Sequence, residues 1–169
     1  MKILYGIQGT GNGHISKAET IYPLLKNYGE VDVLISASNY SLKPSFPVKF
    51  KMKGISFSTS KGKIKYWSTL KNIDHKTFLN DINSIPFNAY DLVVSDFEPI
   101  TAWGAKKNGV KSLQISHQAA FHSIKSPRPF IINPFAEVIM KYFAPTNDYI
   151  GLHFKQYSKN ISEPIIKKS

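Results

Sequence analysis

The sequence predicts an α/β fold built on an open, mostly parallel sheet with helices on both faces, and three observations support this. Short apolar runs alternate with stretches of helical periodicity along most of the 169 residues. The runs are apolar at nearly every position, which is typical of strands buried on both faces of a parallel sheet. The first run ends in a glycine-rich loop that leads into a helix, as in Rossmann-like domains.

The first 37 residues predict one βαβ unit. One buried strand spans Ile3–Ile7 and a second spans Val31–Ile35. Between them, apolar residues recur every three or four positions from Ile15 to Tyr28, which predicts an amphipathic helix closed by Gly29. Pro23 lies inside that helix, so we expect it to kink the helix or shorten its last turns.

Two more central strands are predicted in the second half of the chain, at Leu92–Ser95 and Leu113–Ser116. The remaining signals are weaker because they are shorter or less regular. They predict three helices, near residues 70–84, 101–108 and 134–144. They also predict two shorter strands, near residues 48–52 and 148–153.

Composition narrows the possible functions. The absence of cysteine excludes disulfides, cysteine zinc sites and thiol nucleophiles. There are 22 basic and 11 acidic residues, and only Arg128 among the basic ones is not a lysine. Because base reading favours the planar fork of arginine, we expect no specific nucleic-acid binding. The lysines favour diffuse attraction of anionic lipids or substrates, or they merely solvate the surface.

A glycine loop, Gly9-Thr10-Gly11-Asn12-Gly13, connects the first strand to the first helix. Its backbone lets a ligand approach closely, and the helix N-terminus offers free N–H groups and a positive dipole end. The loop therefore favours a phosphate or a developing oxyanion, or else it is a tight turn that binds nothing. It is neither the dinucleotide fingerprint, whose third glycine stands one residue later, nor a P-loop.

His14 follows the loop at the start of the helix, where the dipole disfavours an imidazolium and keeps the ring neutral, as a general base requires. Asp96 ends a strand and is suited to orient such a histidine. Since parallel strand ends meet at one edge, we expect the two side chains in direct or single-water contact. The alternatives are a histidine that caps the turn and an aspartate bonded to its own backbone. Glu98 is a second choice for the carboxylate.

His117 and Gln118 end the next strand and are predicted to hydrogen-bond a polar substrate at the same edge, with His122 nearby. A metal site made by His14, Asp96 and His117 has no helical i, i+4 pairing behind it. We therefore predict that the protein holds no metal.

The stretch from Ile3 to Ser16, with its glycine loop ending in Gly-His, resembles the opening of GT-B glycosyltransferases. It is most similar to bacterial relatives of the enzyme that adds N-acetylglucosamine to lipid I. The segments Asp91–Asp96, Glu98-Pro99 and Ser112–Gln118 resemble later strands of the same domain. The similarity covers nearly the whole chain and is strongest at residues 1–20 and 90–120.

The resemblance implies a Rossmann-like acceptor-binding domain at 1–155, one half of a GT-B fold, with the start of an interdomain linker at 156–169. It implies that His14 is the general base and Asp96 its support. The expected substrates are a nucleotide-diphosphate sugar as donor, with no separate cofactor, and an acceptor hydroxyl on a small or lipid-linked molecule. Because the donor domain is missing, we expect the chain alone to be inactive.

A non-catalytic α/β module that binds a phosphorylated ligand is the alternative function. No apolar run approaches the ~20 residues of a transmembrane helix, and nothing marks export, so we expect a cytoplasmic protein. The lysines within 38–70 and the apolar segment 130–144 predict peripheral contact with an anionic membrane. Exposed apolar residues on the interdomain face, such as Phe121 and Phe130, predict self-association.

Overall fold

A computed structural model describes residues 1–55, 59–60, 63–64, 74–128, 130 and 133–165. The strands are β1 Lys2–Thr10, β2 Glu30–Asn39, β3 Phe50–Met52, β4 Thr59–Ser60, β5 Lys63–Ile64, β6 Leu92–Asp96, β7 Ser112–Ser116, β8 Asp148–Leu152 and β9 Ile161–Ser162. The α-helices are α1 Asn12–Lys26, α2 His75–Asn83, α3 Pro99–Asn108 and α4 Pro134–Tyr142. Short 3₁₀ turns stand at Phe87–Ala89 and Gln118–His122.

Seven of these strands form one sheet in the order β3-β2-β1-β6-β7-β8-β9, and all of its neighbouring pairs are parallel. Strands β4 and β5 pair with each other in an antiparallel hairpin. The order places β1 in the interior of the sheet, between β2 and β6, which is the doubly wound arrangement of a Rossmann-like sheet. The predicted fold class is therefore confirmed.

The four predicted central strands are confirmed, and β1 and β2 extend beyond the predicted ends. Strand β1 continues past Gly9 because Gln8 pairs with Ser36, and Thr10 with Asn39 after a register shift. The helix that follows starts and ends earlier than predicted, at Asn12 and Lys26. The Gly11 φ of +83° turns the chain directly from strand to helix.

The sheet is packed on both faces. Helix α1 covers one face, where Tyr5 and Ile7 pack with Ile15 and Val33. Helices α2 and α3 cover the other face, where Leu4 and Leu34 belong to a second apolar cluster. Close packing needs glycine at one position in particular: a Cβ on Gly6 would lie 2.1 Å from Thr101 Oγ1.

The end of the described chain adds a strand to the sheet. Ile161 is buried and pairs with Gly151 of β8, so β9 forms the last strand. This strand falls in the stretch 156–169 that the sequence assigns to a linker, and the boundary at residue 155 stays a prediction. None of the helices in the described part of the chain is long and apolar enough to cross a bilayer.

Candidate active site

Strands β1, β6 and β7 are parallel neighbours, so their carboxyl ends meet at one edge of the sheet. Gly9 and Thr10 of the glycine loop end β1, Gly11 forms the turn, and His14 lies in the first turn of α1. Asp96 ends β6, and His117 follows β7. All of the predicted site residues therefore share this edge, and their individual contacts decide what each can do.

The glycine loop combines one tightly packed residue with an open backbone. A Cβ on Gly9 would lie 2.7 Å from the carbonyl oxygens of Ser36 and Ala37, so the chain passes close to the end of β2. Within the described part of the chain, no neighbouring segment lies within 4 Å of a Cβ built on Gly11 or Gly13. Among the residues that the structure describes, no side chain caps α1, and the first turn of this helix carries no acidic residue. The first amides of α1 are therefore available to an anion.

The two polar residues of the loop make contacts within the protein. Asn12 Oδ1 accepts hydrogen bonds from the backbone N–H groups of Ser41 and Leu42, and Asn12 Nδ2 donates to Ser41 Oγ. Thr10 Oγ1 accepts a hydrogen bond from Gln8 Nε2. Both side chains thus fix the loop against neighbouring segments, which sequence reasoning did not predict.

His14 and Asp96 lie together, as the sequence predicts. His14 Nδ1 is 3.0 Å from Asp96 Oδ1. The Asp96 side chain is fully buried, whereas 16% of the His14 side chain is exposed. The two atoms are at ion-pair distance, but the direction of the ring nitrogen misses a well-aligned hydrogen bond.

Lys17 is a third member of the site that sequence reasoning missed. Its Nζ donates a hydrogen bond to Asp96 Oδ1 at 2.5 Å, and only 7% of its side chain is exposed. Residues three apart on a helix share a face, so the spacing from His14 to Lys17 was the available signal. The other Asp96 oxygen, Oδ2, is buried without a hydrogen-bond partner among the described residues.

Electrostatics favour an ionised Asp96. Burial raises the pKa of the Asp96 carboxyl, but the charges of His14 and Lys17 and the Lys17 hydrogen bond outweigh burial and hold that pKa below its usual value. Burial, followed by the charge of Asp96, raises the pKa of the Tyr5 phenol well above its usual value. Tyr5 is therefore a neutral group beside the carboxylate.

His117 and Gln118 lie at the same edge but have other contacts. His117 Nδ1 is 2.9 Å from the carbonyl oxygen of Leu152 on β8, and its side chain is exposed. Gln118 Oε1 is buried without a hydrogen-bond partner in the described part of the chain. His122 Nε2 lies 3.2 Å from Gln114 Oε1, and the His122 ring packs on the ring of Tyr149.

Comparison of the sequence with models of known protein families identifies the family of this chain. Residues 1–158 match the sequence model of Glycosyl transferase family 1. The chain belongs to this family. The resemblance to glycosyltransferases is therefore confirmed over nearly the whole chain. No curated protein matches the chain in sequence.

Three solved structures are similar to this glycosyl transferase family 1 chain. SsfS6, a glycosyltransferase of Streptomyces sp. SF2575, is 11% identical with a TM-score of 0.49, over 100% of this chain and 56% of its own. MurG of Acinetobacter baumannii is 13% identical with a TM-score of 0.41, and the match covers 69% of this chain and 35% of MurG. A putative UDP-N-acetylglucosamine 2-epimerase of Listeria monocytogenes is 12% identical with a TM-score of 0.43, and the match covers 89% of this chain and 39% of that protein. The chain thus spans between about a third and just over half of these structures.

Glu98, the second choice for the carboxylate that supports His14, has a structural role instead. It is fully buried and caps α3, where it accepts hydrogen bonds from the N–H groups of Ile100 and Thr101. Burial raises the pKa of Glu98, and these hydrogen bonds only partly oppose that shift. In the described residues, no group of three His, Cys, Asp or Glu side chains is arranged to hold a metal ion.

Proposed function

We propose that the chain is the acceptor-binding part of a glycosyltransferase that moves a sugar from a nucleotide-diphosphate sugar to an acceptor hydroxyl. The observation that carries this proposal is the contact between His14 and the buried Asp96, directly beside an open glycine loop, in a member of Glycosyl transferase family 1. A neutral imidazole at that place is suited to remove the proton from a hydroxyl nucleophile.

In the proposed reaction, His14 is the general base. Its Nδ1 faces Asp96, which leaves Nε2 for the acceptor hydroxyl. Nε2 takes the proton as the acceptor oxygen forms a bond to the anomeric carbon of the sugar. The bond from that carbon to the diphosphate breaks, and the nucleoside diphosphate leaves with the electron pair. Asp96 orients the ring and stabilises the imidazolium that forms.

The glycine loop is proposed to lie against the diphosphate or against a phosphate of the acceptor. The uncapped first amides of α1 and the open backbone at Gly11 and Gly13 support this role. The charge that develops on a leaving diphosphate is stabilised by amides already in place, because they need no reorganisation during the reaction.

His117 and Gln118 are proposed to contact the acceptor. The exposed His117 ring and the unpaired Gln118 Oε1 give this part of the edge both donors and acceptors for sugar or hydroxyl groups. Their separate positions, away from the His14 contact with Asp96, suit binding rather than proton transfer.

An anionic, lipid-linked acceptor at a membrane surface is the finer form of the proposal. Helix α4 exposes Val138 and Tyr142, each about half accessible, and supports contact with an apolar surface. The lysines within 38–70 support membrane contact less strongly than their number in the sequence implies. Lys49 forms an ion pair with Asp32, and Lys53 forms one with Asp74. We propose a cytoplasmic protein that contacts the membrane peripherally.

The exposed apolar side chains at the carboxyl edge are proposed to meet another protein surface. Ile124, Phe130 and Phe154 are almost completely exposed. Large apolar side chains exposed to this degree support self-association or docking of a further domain, since apolar area is removed from water.

A non-catalytic module that binds a phosphorylated ligand is the second candidate. The free α1 amides favour it, because they need neither His14 nor Asp96 to bind an anion. The two candidates differ in one measurement. The protein is joined to the donor-binding domain of a Glycosyl transferase family 1 enzyme, because the chain alone is expected to be inactive. It is incubated with a panel of nucleotide-diphosphate sugars and candidate acceptors, and both binding and released nucleoside diphosphate are measured. Acceptor-dependent release supports the transferase, whereas saturable binding with no release supports the module.

A further inference from the structure

We propose that Phe97 is a positioning residue that keeps the Asp96 carboxylate directed at His14. The packing of the Phe97 ring fixes the backbone turn that directly follows Asp96. The consequence for catalysis rests on the proposed function. The placement of the carboxylate does not depend on activity and can be measured by itself.

Phe97 has a backbone conformation that its side chain disfavours. Its φ is +52°, in the left-handed region where the Cβ of an L-residue crowds the backbone. Among the described non-glycine residues, only Ala37 also has a positive φ, of +66°. Ala37 lies near the carboxyl end of β2 and Phe97 directly follows β6, so both lie at the edge that carries the candidate site. Strain of this kind persists only where the surrounding structure enforces it.

The turn that contains Phe97 connects β6 to α3 through only two residues. Ser95 Oγ accepts a hydrogen bond from the Glu98 N–H and donates one to the Glu98 carbonyl oxygen, each at 3.0 Å. The Asp96 side chain contacts α1 on one face of the sheet, whereas α3 covers the opposite face. The left-handed residue thus redirects the chain into α3 while the Asp96 side chain stays with α1.

The Phe97 ring is anchored between α3 and the residues that follow α4. Only 3% of Phe97 is exposed, and it shares an apolar cluster with Ala102 of α3 and with Ala144. The centroid of its ring lies 4.9 Å from that of Phe143, with an angle of 34° between the ring planes. Because burial of a large apolar side chain is favourable, this packing offsets the unfavourable backbone conformation.

The anchor acts on the site through the backbone. Asp96 is fully buried, and its Oδ1 lies 3.0 Å from His14 Nδ1. Relaxation of Phe97 to a negative φ would turn the preceding peptide and shift the carboxylate away from His14. A displacement of about 1 Å is enough to lower turnover by about 10²-fold where reacting groups must be aligned.

Two variants of Phe97 separate this role from simple core packing. Phe97→Ala removes the ring but keeps a Cβ, so the strained turn loses its anchor and relaxes. Phe97→Gly also removes the ring, yet glycine adopts the left-handed conformation without strain. We therefore expect Asp96 to move away from His14 in Phe97→Ala and to stay closer to its native position in Phe97→Gly. A residue that only fills the core would make glycine at least as harmful as alanine.

Crystal structures of the wild-type chain and of both variants measure the distance between His14 Nδ1 and Asp96 Oδ1. Turnover and calorimetric acceptor binding are measured on the same variants joined to the donor-binding domain of a Glycosyl transferase family 1 enzyme. In Phe97→Ala we expect a longer distance, turnover lower by about 10²-fold and acceptor binding largely unchanged. Phe87→Leu is the matched control, because it replaces a buried ring in the apolar cluster on the opposite face of the sheet. It should change neither the distance nor the turnover.

A native distance in Phe97→Ala, or a larger displacement in Phe97→Gly than in Phe97→Ala, would overturn the inference. If Phe97→Ala does not fold, Phe143→Leu decides, because it weakens the anchor without changing the turn itself. A longer distance in Phe143→Leu supports the inference, and a native distance overturns it. If the distances change as expected but the joined wild-type protein transfers no sugar, the proposed function is contradicted and the positioning role stands.

Discussion

His14 Nδ1 lies 3.0 Å from Asp96 Oδ1, and the pairing of β1 with β6 brings the two residues together. Asp96 stands directly opposite Ile7 in the parallel register. The chain then leaves β1, turns at Gly11 and starts α1, which returns His14 over the end of β6. The contact between His14 and Asp96 thus depends on the register of β1 with β6 and on the tight turn at Gly11.

Asp96→Asn is expected to destabilise the fold, and removal of Lys17 at the same time is expected to restore part of the loss. The single substitution leaves a buried lysine without its counter-ion, which costs about 3–5 kcal/mol. The double variant Asp96→Asn/Lys17→Met leaves no buried charge unpaired. Urea denaturation of the three proteins measures this. A double variant that is less stable than Asp96→Asn would contradict the account of this ion pair.

Glu98 is expected to make stability decrease as pH rises above mildly acidic values. Because burial raises the pKa of Glu98 in the folded state above its ordinary 4.5, its contribution is fully present below that value and is lost as pH rises through the folded-state pKa. Glu98→Gln lacks this titration. The difference in unfolding free energy between wild type and variant, followed from pH 4 to 8, should therefore move against the wild type as pH rises. A constant difference would show that the Glu98 pKa is not raised.

Gly6→Ala is expected to destabilise the sheet by about 1–3 kcal/mol, the usual effect of overpacking a well-packed core. Its Cβ would lie 2.1 Å from Thr101 Oγ1, in the contact between β1 and α3. Gly13→Ala is the matched control, because no described neighbouring segment lies within 4 Å of its Cβ. Chemical denaturation should separate the two, and equal stabilities would contradict the close approach of α3 to β1.

Arg128 is expected to fix the loop after β7 in a way that lysine cannot reproduce. Its guanidinium pairs with Glu137 of α4 and donates hydrogen bonds to three loop carbonyl groups, those of Phe121, Ser123 and Ser126. Lysine keeps the charge but not the planar fork, so Arg128→Lys should cost about 1–3 kcal/mol locally. Hydrogen exchange of residues 121–128 should become faster, and unchanged exchange would show that the fork is not needed.

The central strands could be predicted from the sequence because burial on both faces leaves little choice of residue. The runs at Ile3–Ile7 and Leu92–Val94 carry no charged or strongly polar side chain, and their order in a βαβ fold then places His14 and Asp96 at one edge. The topology places the two residues at one edge, and the register of β1 with β6 and the turn at Gly11 then bring them into contact.

The rest depended on contacts that a sequence does not display. Lys17 looks like a surface lysine among many, and only the helix position relative to Asp96 reveals its burial. The two residues of β9 are too few for a periodic signal, and their pairing with β8 decides their structure. Helix α4 carries a broad apolar face in sequence, yet Val138 and Tyr142 are about half exposed because too little of the described fold covers them.

Sugar transfer by His14→Gln, compared with the wild-type protein, tests the central claim most directly. Because the chain alone is expected to be inactive, each protein is joined to the donor-binding domain of a Glycosyl transferase family 1 enzyme, and turnover of a nucleotide-diphosphate sugar with its acceptor is measured beside calorimetric acceptor binding. If His14 is the general base held by Asp96, the substitution lowers turnover by about 10²–10⁴-fold and leaves acceptor binding largely unchanged. Turnover equal to that of the wild-type protein would contradict the account.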